Sequence, residues 1–192
     1  MKDGLQSALL EAIVRVGWTH KIQEKQAEAY QSSNRWLTLI QLVTAGLTST
    51  GAITTLINNS YYAKIFTALV GLISFISTGI LKAWDFQALA KQSKVYANNQ
   101  LKLRDQLIDT LRDLAFGLKS DKEIKLIWEK LEQERFSLYS EAVPTSDRSV
   151  DKANKQLKER HDNEINTDYN LFISSEILEK LKVDNYKGES RK

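Results

Sequence analysis

Polar and apolar positions divide this chain into three stretches of different character. From Trp36 to Leu81 the sequence reads WLTLIQLVTAGLTSTGAITTLINNSYYAKIFTALVGLISFISTGIL, forty-six residues whose only charge is Lys64. Trp36–Ile57 is free of charge for twenty-two residues, about 33 Å as a helix at 1.5 Å per residue, which matches a hydrocarbon core of about 30 Å. A second apolar run extends from Tyr61 to Leu81 after the polar Asn58-Asn59-Ser60. Lys64 stands near its start, where a lysine stem snorkels to the headgroups. So short a turn makes the two runs antiparallel neighbours. Lipid-exposed backbone is satisfied only if both are helical. The pattern predicts a transmembrane hairpin with spans 36–57 and 61–81.

The competing reading is a buried hairpin inside a soluble bundle, which would require the flanks to cover two helices apolar nearly all round. Against it, Trp36, Tyr61, Tyr62 and Trp84 fall at the ends of the runs, where amphipathic rings settle at a membrane interface.

The flanks carry helical periodicity instead. Leu5, Leu9, Ile13 and Val16, with Leu10 and Val14 beside them, predict an amphipathic N-terminal helix. Gly17-Trp18-Thr19-His20-Lys21 then interrupts it, read as a kink or a tolerated glycine. From Lys82 to Leu118 there is no proline and the only glycine is Gly117, so the second span is expected to continue unbroken into the cytoplasm. Leu107, Leu111, Leu114 and Leu118 follow the 4, 3, 4 spacing of a coiled-coil seam. That seam needs a partner: a second copy of the chain, or the helix marked by Ile124, Ile127, Trp128, Leu131 and Leu138, which begins after Gly117-Leu118-Lys119-Ser120-Asp121, read as a stop and N-cap. Pro144, the only proline, opens the polar break PTSDRS. Beyond it Val150, Ala153 and Leu157 make a weak stripe, and Leu171, Phe172, Ile173, Ile177, Leu178 and Leu181 a short amphipathic helix.

No alternating strand pattern and no internal repeat occurs. The predicted fold is all-α: a transmembrane helical hairpin with long cytoplasmic helices packed as an antiparallel helical bundle or coiled coil. Its predicted parts are a cytoplasmic amphipathic helix (1–35), the hairpin (36–81), a cytoplasmic helical hairpin (82–143) and a charged tail (144–192).

Composition changes this picture little. The mean hydropathy of −0.37 averages an apolar hairpin with two charged flanks. Five basic and four acidic residues in 1–35, and twenty-one and twenty in 82–192, leave each flank at net +1. No clustered basic face argues for nucleic acid. Lys21, Lys25 and Arg35 precede the first span and Lys82, Lys91 and Lys94 follow the second, so both termini are expected to be cytoplasmic. The first span is expected to serve as its own uncleaved insertion signal. There is no cysteine, hence no disulfide and no thiolate metal site. His20 and His161 stand far apart, and Trp18 and His20 read as packing residues with a polar tip rather than ligands. Phosphate-loop, zinc-protease and serine-hydrolase signatures are missing. No catalytic residue, cofactor or metal is expected.

The informative chemistry lies inside the spans. Thr38, Gln41, Thr44, Thr48, Gly51 and Thr55 step by 3, 3, 4, 3 and 4 along one face of the first. Thr67, Gly71, Ser74 and Thr78 step by 4, 3 and 4 along the second. Such small polar stripes either pack against each other or line a water-filled pore in an oligomer, since one hairpin cannot enclose a channel.

With R-V-G-W-T-H-K-I-Q-E-K-Q-A (Arg15–Ala27) and R-W-L-T-L-I-Q-L (Arg35–Leu42) in view, the chain resembles the SLATT family, bacterial two-transmembrane effector domains associated with second-messenger synthases and SLOG sensors. Trp18, Thr19, His20 and Lys21 are the most specific part. The resemblance spans roughly residues 5–140, leaving the tail after Pro144 outside it. It implies an inner-membrane, oligomeric, pore-forming effector of antiphage or conflict systems, triggered by a nucleotide signal or by a partner such as a nucleotidyltransferase or a reverse transcriptase. The alternative function is a membrane-anchored scaffold that recruits a partner protein through its cytoplasmic helices.

Overall fold

The computed structural model describes residues 2–58, 61–159 and 172–181. The turn residues Asn59 and Ser60, together with His161, Leu171 and residues 182–192, lie outside the described residues, as does the Leu157 side chain. Six helices are described: α1 (Lys2–Asn58), α2 (Tyr61–Ala83), α3 (Phe86–Phe116), α4 (Asp121–Tyr139), α5 (Asp147–Glu159) and α6 (Ser175–Lys180). Among the described residues there is no strand.

The chain forms two compact units, residues 27–91 and residues 1–26 with 92–192. The first is the hairpin. It includes polar turns on either side of the apolar runs, so its limits lie outside the 36–81 read from hydropathy. Its two long helices meet the length and hydropathy requirements of membrane spans and bury few of their own side chains. Leu42, Ile57, Phe75 and Tyr62 are exposed, as side chains meant for lipid must be. Tyr30 and Phe86 rings meet at 6.3 Å between centroids outside the apolar runs.

The second span does not continue unbroken. α2 stops at Ala83 and α3 begins at Phe86. The Asp85 carboxylate accepts the Ala88 N–H at 2.9 Å and its carbonyl accepts Leu89 N–H. A short acidic side chain that bonds the backbone of the next turn starts a new helix. Neither proline nor glycine marks this break in the sequence.

The other unit is a helical bundle with one apolar core. Leu9, Ile13, Leu103, Leu107, Leu111, Leu114 and Ile124 are almost fully buried together, with Ile173 and Ile177 among them. α3 ends at Gly117, whose φ of 65° is the left-handed cap position that glycine adopts without strain. α4 opens with a capping box: Ser120 Oγ accepts the Glu123 N–H, and Glu123 Oε2 accepts the Ser120 N–H at 2.8 Å. The 4, 3 spacing of the leucine seam is therefore satisfied within the chain. Leu107, Leu111 and Leu114 belong to its own core, whereas Leu118 lies past the helix end and is 66% exposed. Of the two partners left open for the seam, a second copy or the chain's own next helix, the cover of Leu107, Leu111 and Leu114 comes from within the chain, with Ile124, Leu131 and Leu138 in the same core.

α1 passes through Gly17–Lys21 without a break, so of the two readings of that stretch the tolerated glycine holds and the kink does not. The polar stretch after Pro144 does not separate a unit either, because it is pinned to α1: Gln23 Nε2 donates to the Val143 carbonyl at 2.8 Å, and Gln26 Oε1 accepts the Ser146 N–H at 3.0 Å and its hydroxyl at 3.1 Å. Both glutamines are buried, where an unmade hydrogen bond costs about 1–3 kcal/mol.

Candidate functional site

The hairpin interior is built from side chains chosen for closeness. Gln41 Nε2 donates to Thr78 Oγ1 at 3.0 Å. Further along, a Cβ on Gly51 would collide with the Thr67 hydroxyl, and one on Gly71 would sit 4.0 Å from Thr48 Cγ2. These contacts pair early positions of α1's span with late positions of α2 and late with early, the antiparallel register that the short turn requires. Thr44 is buried, and Gln41, Thr48, Gly51, Thr55, Thr67, Gly71, Ser74 and Thr78 are half-buried. Thr38 is the exception: its side chain is exposed. Ser77 and Val70 are buried in α2 but were not singled out in the sequence, although Ser77 follows Ser74 by one helical step of three.

Hydroxyls in these helices satisfy themselves without water. Thr44, Thr48, Thr55, Thr67, Ser77 and Thr78 each donate to the carbonyl four residues earlier, at 2.8–2.9 Å. The donor is thereby committed while the oxygen lone pairs remain free to accept. Thr78 does both, accepting from Gln41 while donating to the Ser74 carbonyl.

A second set points the other way. Gly46, Thr50 and Thr54 step by four along the exposed side of the first span, with Ser49 nearby. Ser49, Thr50 and Thr54 also donate to their own i−4 carbonyls at 3.0 Å. A Cβ on Gly46 would meet nothing within 4 Å. The one stripe per helix predicted from the sequence does not include this face, whose signal is the set of hydroxyls that the first stripe leaves over.

In the bundle, the Trp18-Thr19-His20-Lys21 stretch sits on α1 against α3. His20 Nδ1 lies 2.9 Å from the Ala97 carbonyl; a carbonyl only accepts, so this nitrogen donates. Thr19 donates back to the Arg15 carbonyl at 3.0 Å. Lys21 and Lys94 reach the two oxygens of Glu24 at 3.2 and 3.0 Å. Burial pulls the Glu24 carboxyl upward, but hydrogen bonds and charge from Lys94 and Lys21 outweigh it and hold the group at about 2. The motif thus ties two helices together, and among the described residues no cluster of metal-binding side chains occurs.

Two long, exposed apolar helices joined to a helical bundle mark the class as a helical membrane protein. The chain belongs to the SMODS and SLOG-associating 2TM effector domain family 4, which matches residues 5–168. Members are two-transmembrane effectors of conflict and antiphage systems. The match runs well past Pro144, correcting the limit near residue 140: about half of the tail, to residue 168, is part of the domain. No curated protein and no solved structure matches the chain.

Proposed function

We propose that copies of this chain assemble in the bacterial inner membrane and permeabilise it when a nucleotide signal or a partner enzyme, such as a nucleotidyltransferase or a reverse transcriptase, activates them. The observation that carries this reading is the outer stripe Gly46–Thr50–Thr54. The inner stripes are occupied within each hairpin, so whatever joins or lines an oligomer uses another face. Small residues every fourth position let helices of neighbouring copies approach closely. Outward lone pairs of Ser49, Thr50 and Thr54 offer water and cations acceptors without placing a charge in the membrane. No catalytic step is assigned; the protein acts by assembly. On this reading both termini are cytoplasmic, which the basic residues flanking the spans support.

The test is dye release from liposomes or depolarisation of cells, comparing the native chain with Thr50→Leu/Thr54→Leu. Leak that disappears at unchanged abundance supports a pore built on this face; leak that persists excludes it. Because the chain has no cysteine, a single cysteine at position 59 reports topology. Labelling from the external side alone is expected, and labelling from the cytoplasm alone overturns the orientation.

A scaffold reading has one observation of its own. Leu126 and Phe136 on α4 are exposed at 67% and 59%, apolar surface that a recruited protein would cover. A chain that binds its partner through α4 yet never leaks would follow that reading.

A further inference from the structure

Residues 172–181 lie beyond the family match, which ends at residue 168, yet they supply part of the bundle's core. Ile173 and Ile177 are each 2% exposed and Leu178 is buried beside them. The Phe172 ring fills the space that Gly17 leaves: a Cβ at position 17 would stand 2.8 Å from Phe172 Cζ. On α3, the Arg104 guanidinium carbon lies 5.6 Å from the centroid of the same ring. Gln6 Nε2 donates to the Leu181 carbonyl at 3.4 Å, near the far end of the segment.

This segment has little order of its own. α6 is six residues long, and its Ser174 N-cap makes no side-chain hydrogen bond. A helix of this length does not persist alone in water, so docking against α1 and α3 is what forms it. The glycine in the family-like stretch Arg15–Ala27 thereby acquires a reason: it is not a kink but the seat of an aromatic ring, at a helix position where alanine is otherwise about 1 kcal/mol more favourable. The two helices that make the seat are those that continue or lead into the spans, α1 directly and α3 through Trp84-Asp85.

We propose that Phe172–Leu181 is a strap that docks on α1 and α3 of its own chain and holds the resting state closed, and that its release is the step that permits permeabilisation. This rests on the pore reading above. The occupant of the seat is the chain's own segment, and an activator works by taking that segment away from it.

The test uses the full chain in dye-loaded liposomes, with two readouts: hydrogen exchange at residues 172–181, and dye release. Gly17→Ala improves helix propensity while evicting the ring, and Phe172→Ala removes the ring without touching α1. Both are expected to speed exchange in the strap at least tenfold and to raise dye release severalfold without any activator. Added to Phe172→Ala, a disulfide between Gln6→Cys and Leu181→Cys should suppress that release, and reduction should restore it. Accelerated exchange with dye release at the native level, or a disulfide-locked Phe172→Ala chain that leaks as much as its reduced form, overturns the strap while leaving the pore reading in place. If no form releases dye, strap-free variants included, the pore reading fails and the gating role fails with it. Exchange that stays slow in both variants shows that the ring does not hold the segment and overturns the proposal directly.

Discussion

Gln41 and Thr78 are joined across the hairpin by a 3.0 Å hydrogen bond, a bond that consumes the most polar side chain of the first span. A glutamine amide facing hydrocarbon lacks partners for its donors, and a neighbouring hydroxyl whose own proton is already committed supplies the acceptor it needs. This relationship gives the inner stripe its meaning. It is a packing surface within one chain, and replacing it has different consequences from replacing the outer one.

Gln41→Leu/Thr48→Leu is expected to lower abundance and the melting temperature in detergent. Losing the interhelical bond costs about 0.6 kcal/mol and at most about 1.7. A leucine at position 48, next to Gly71, adds an overpacking cost of about 1–3 kcal/mol. Normal abundance and melting with leak abolished would assign this face to a pore instead.

Gly51 offers a cleaner version of the same argument. Gly51→Ala directs a methyl group at the Thr67 hydroxyl and should destabilise the hairpin by about 1–2 kcal/mol. Thr67→Ala in that background removes the colliding oxygen and should recover most of the loss. A thermal-shift series of the two single variants and the double variant checks it; equal stability of Gly51→Ala and the native chain contradicts the close approach.

How far the sequence speaks differs between the two units. The spans were legible because lipid imposes length and apolarity residue by residue, and the inner stripe because helical steps of three and four leave few alternatives. The break at Trp84-Asp85 was not, since an N-cap needs only one short acidic side chain and no proline. Nor was the occupant of the leucine seam: a 4, 3 spacing announces a buried face without saying whether the cover comes from a second chain or from residues sixty positions away. Gly17 looked like an interruption because its partner, Phe172, is distant in sequence and reached only through the fold.

The seam itself is testable. Leu107→Ala, Leu111→Ala and Leu114→Ala each remove a fully buried side chain and should cost about 2–5 kcal/mol, visible as a lower melting temperature of the bundle. Leu118→Ala should change stability by less than about 0.5 kcal/mol, as exposed substitutions do. If Leu118→Ala alone dissolves an oligomer in crosslinking or mass measurements, the seam reaches another chain after all.

The last prediction concerns acid. Glu24 has an ordinary carboxyl value of 4.5 and is held at about 2 in the folded chain by Lys94 and Lys21. A carboxylate whose pKa is depressed on folding contributes stability that is complete above the unfolded value and fades as pH falls through the folded one. The contribution is therefore expected at neutral pH, to decline from about pH 4.5, and to be gone below about pH 2. Because all three groups keep some contact with water, its size is on the order of 1 kcal/mol. Glu24→Gln should accordingly lower the melting temperature at pH 7, where the charge is needed, and cost much less at pH 2.5, where the native chain has lost most of the same interaction. Lys94→Met should show the same pH dependence, since it removes the sequence-distant partner that ties α3 to α1. A Glu24→Gln penalty that stays constant from pH 7 to pH 2.5 would mean that the side chain's shape, and not its charge, holds the two helices together.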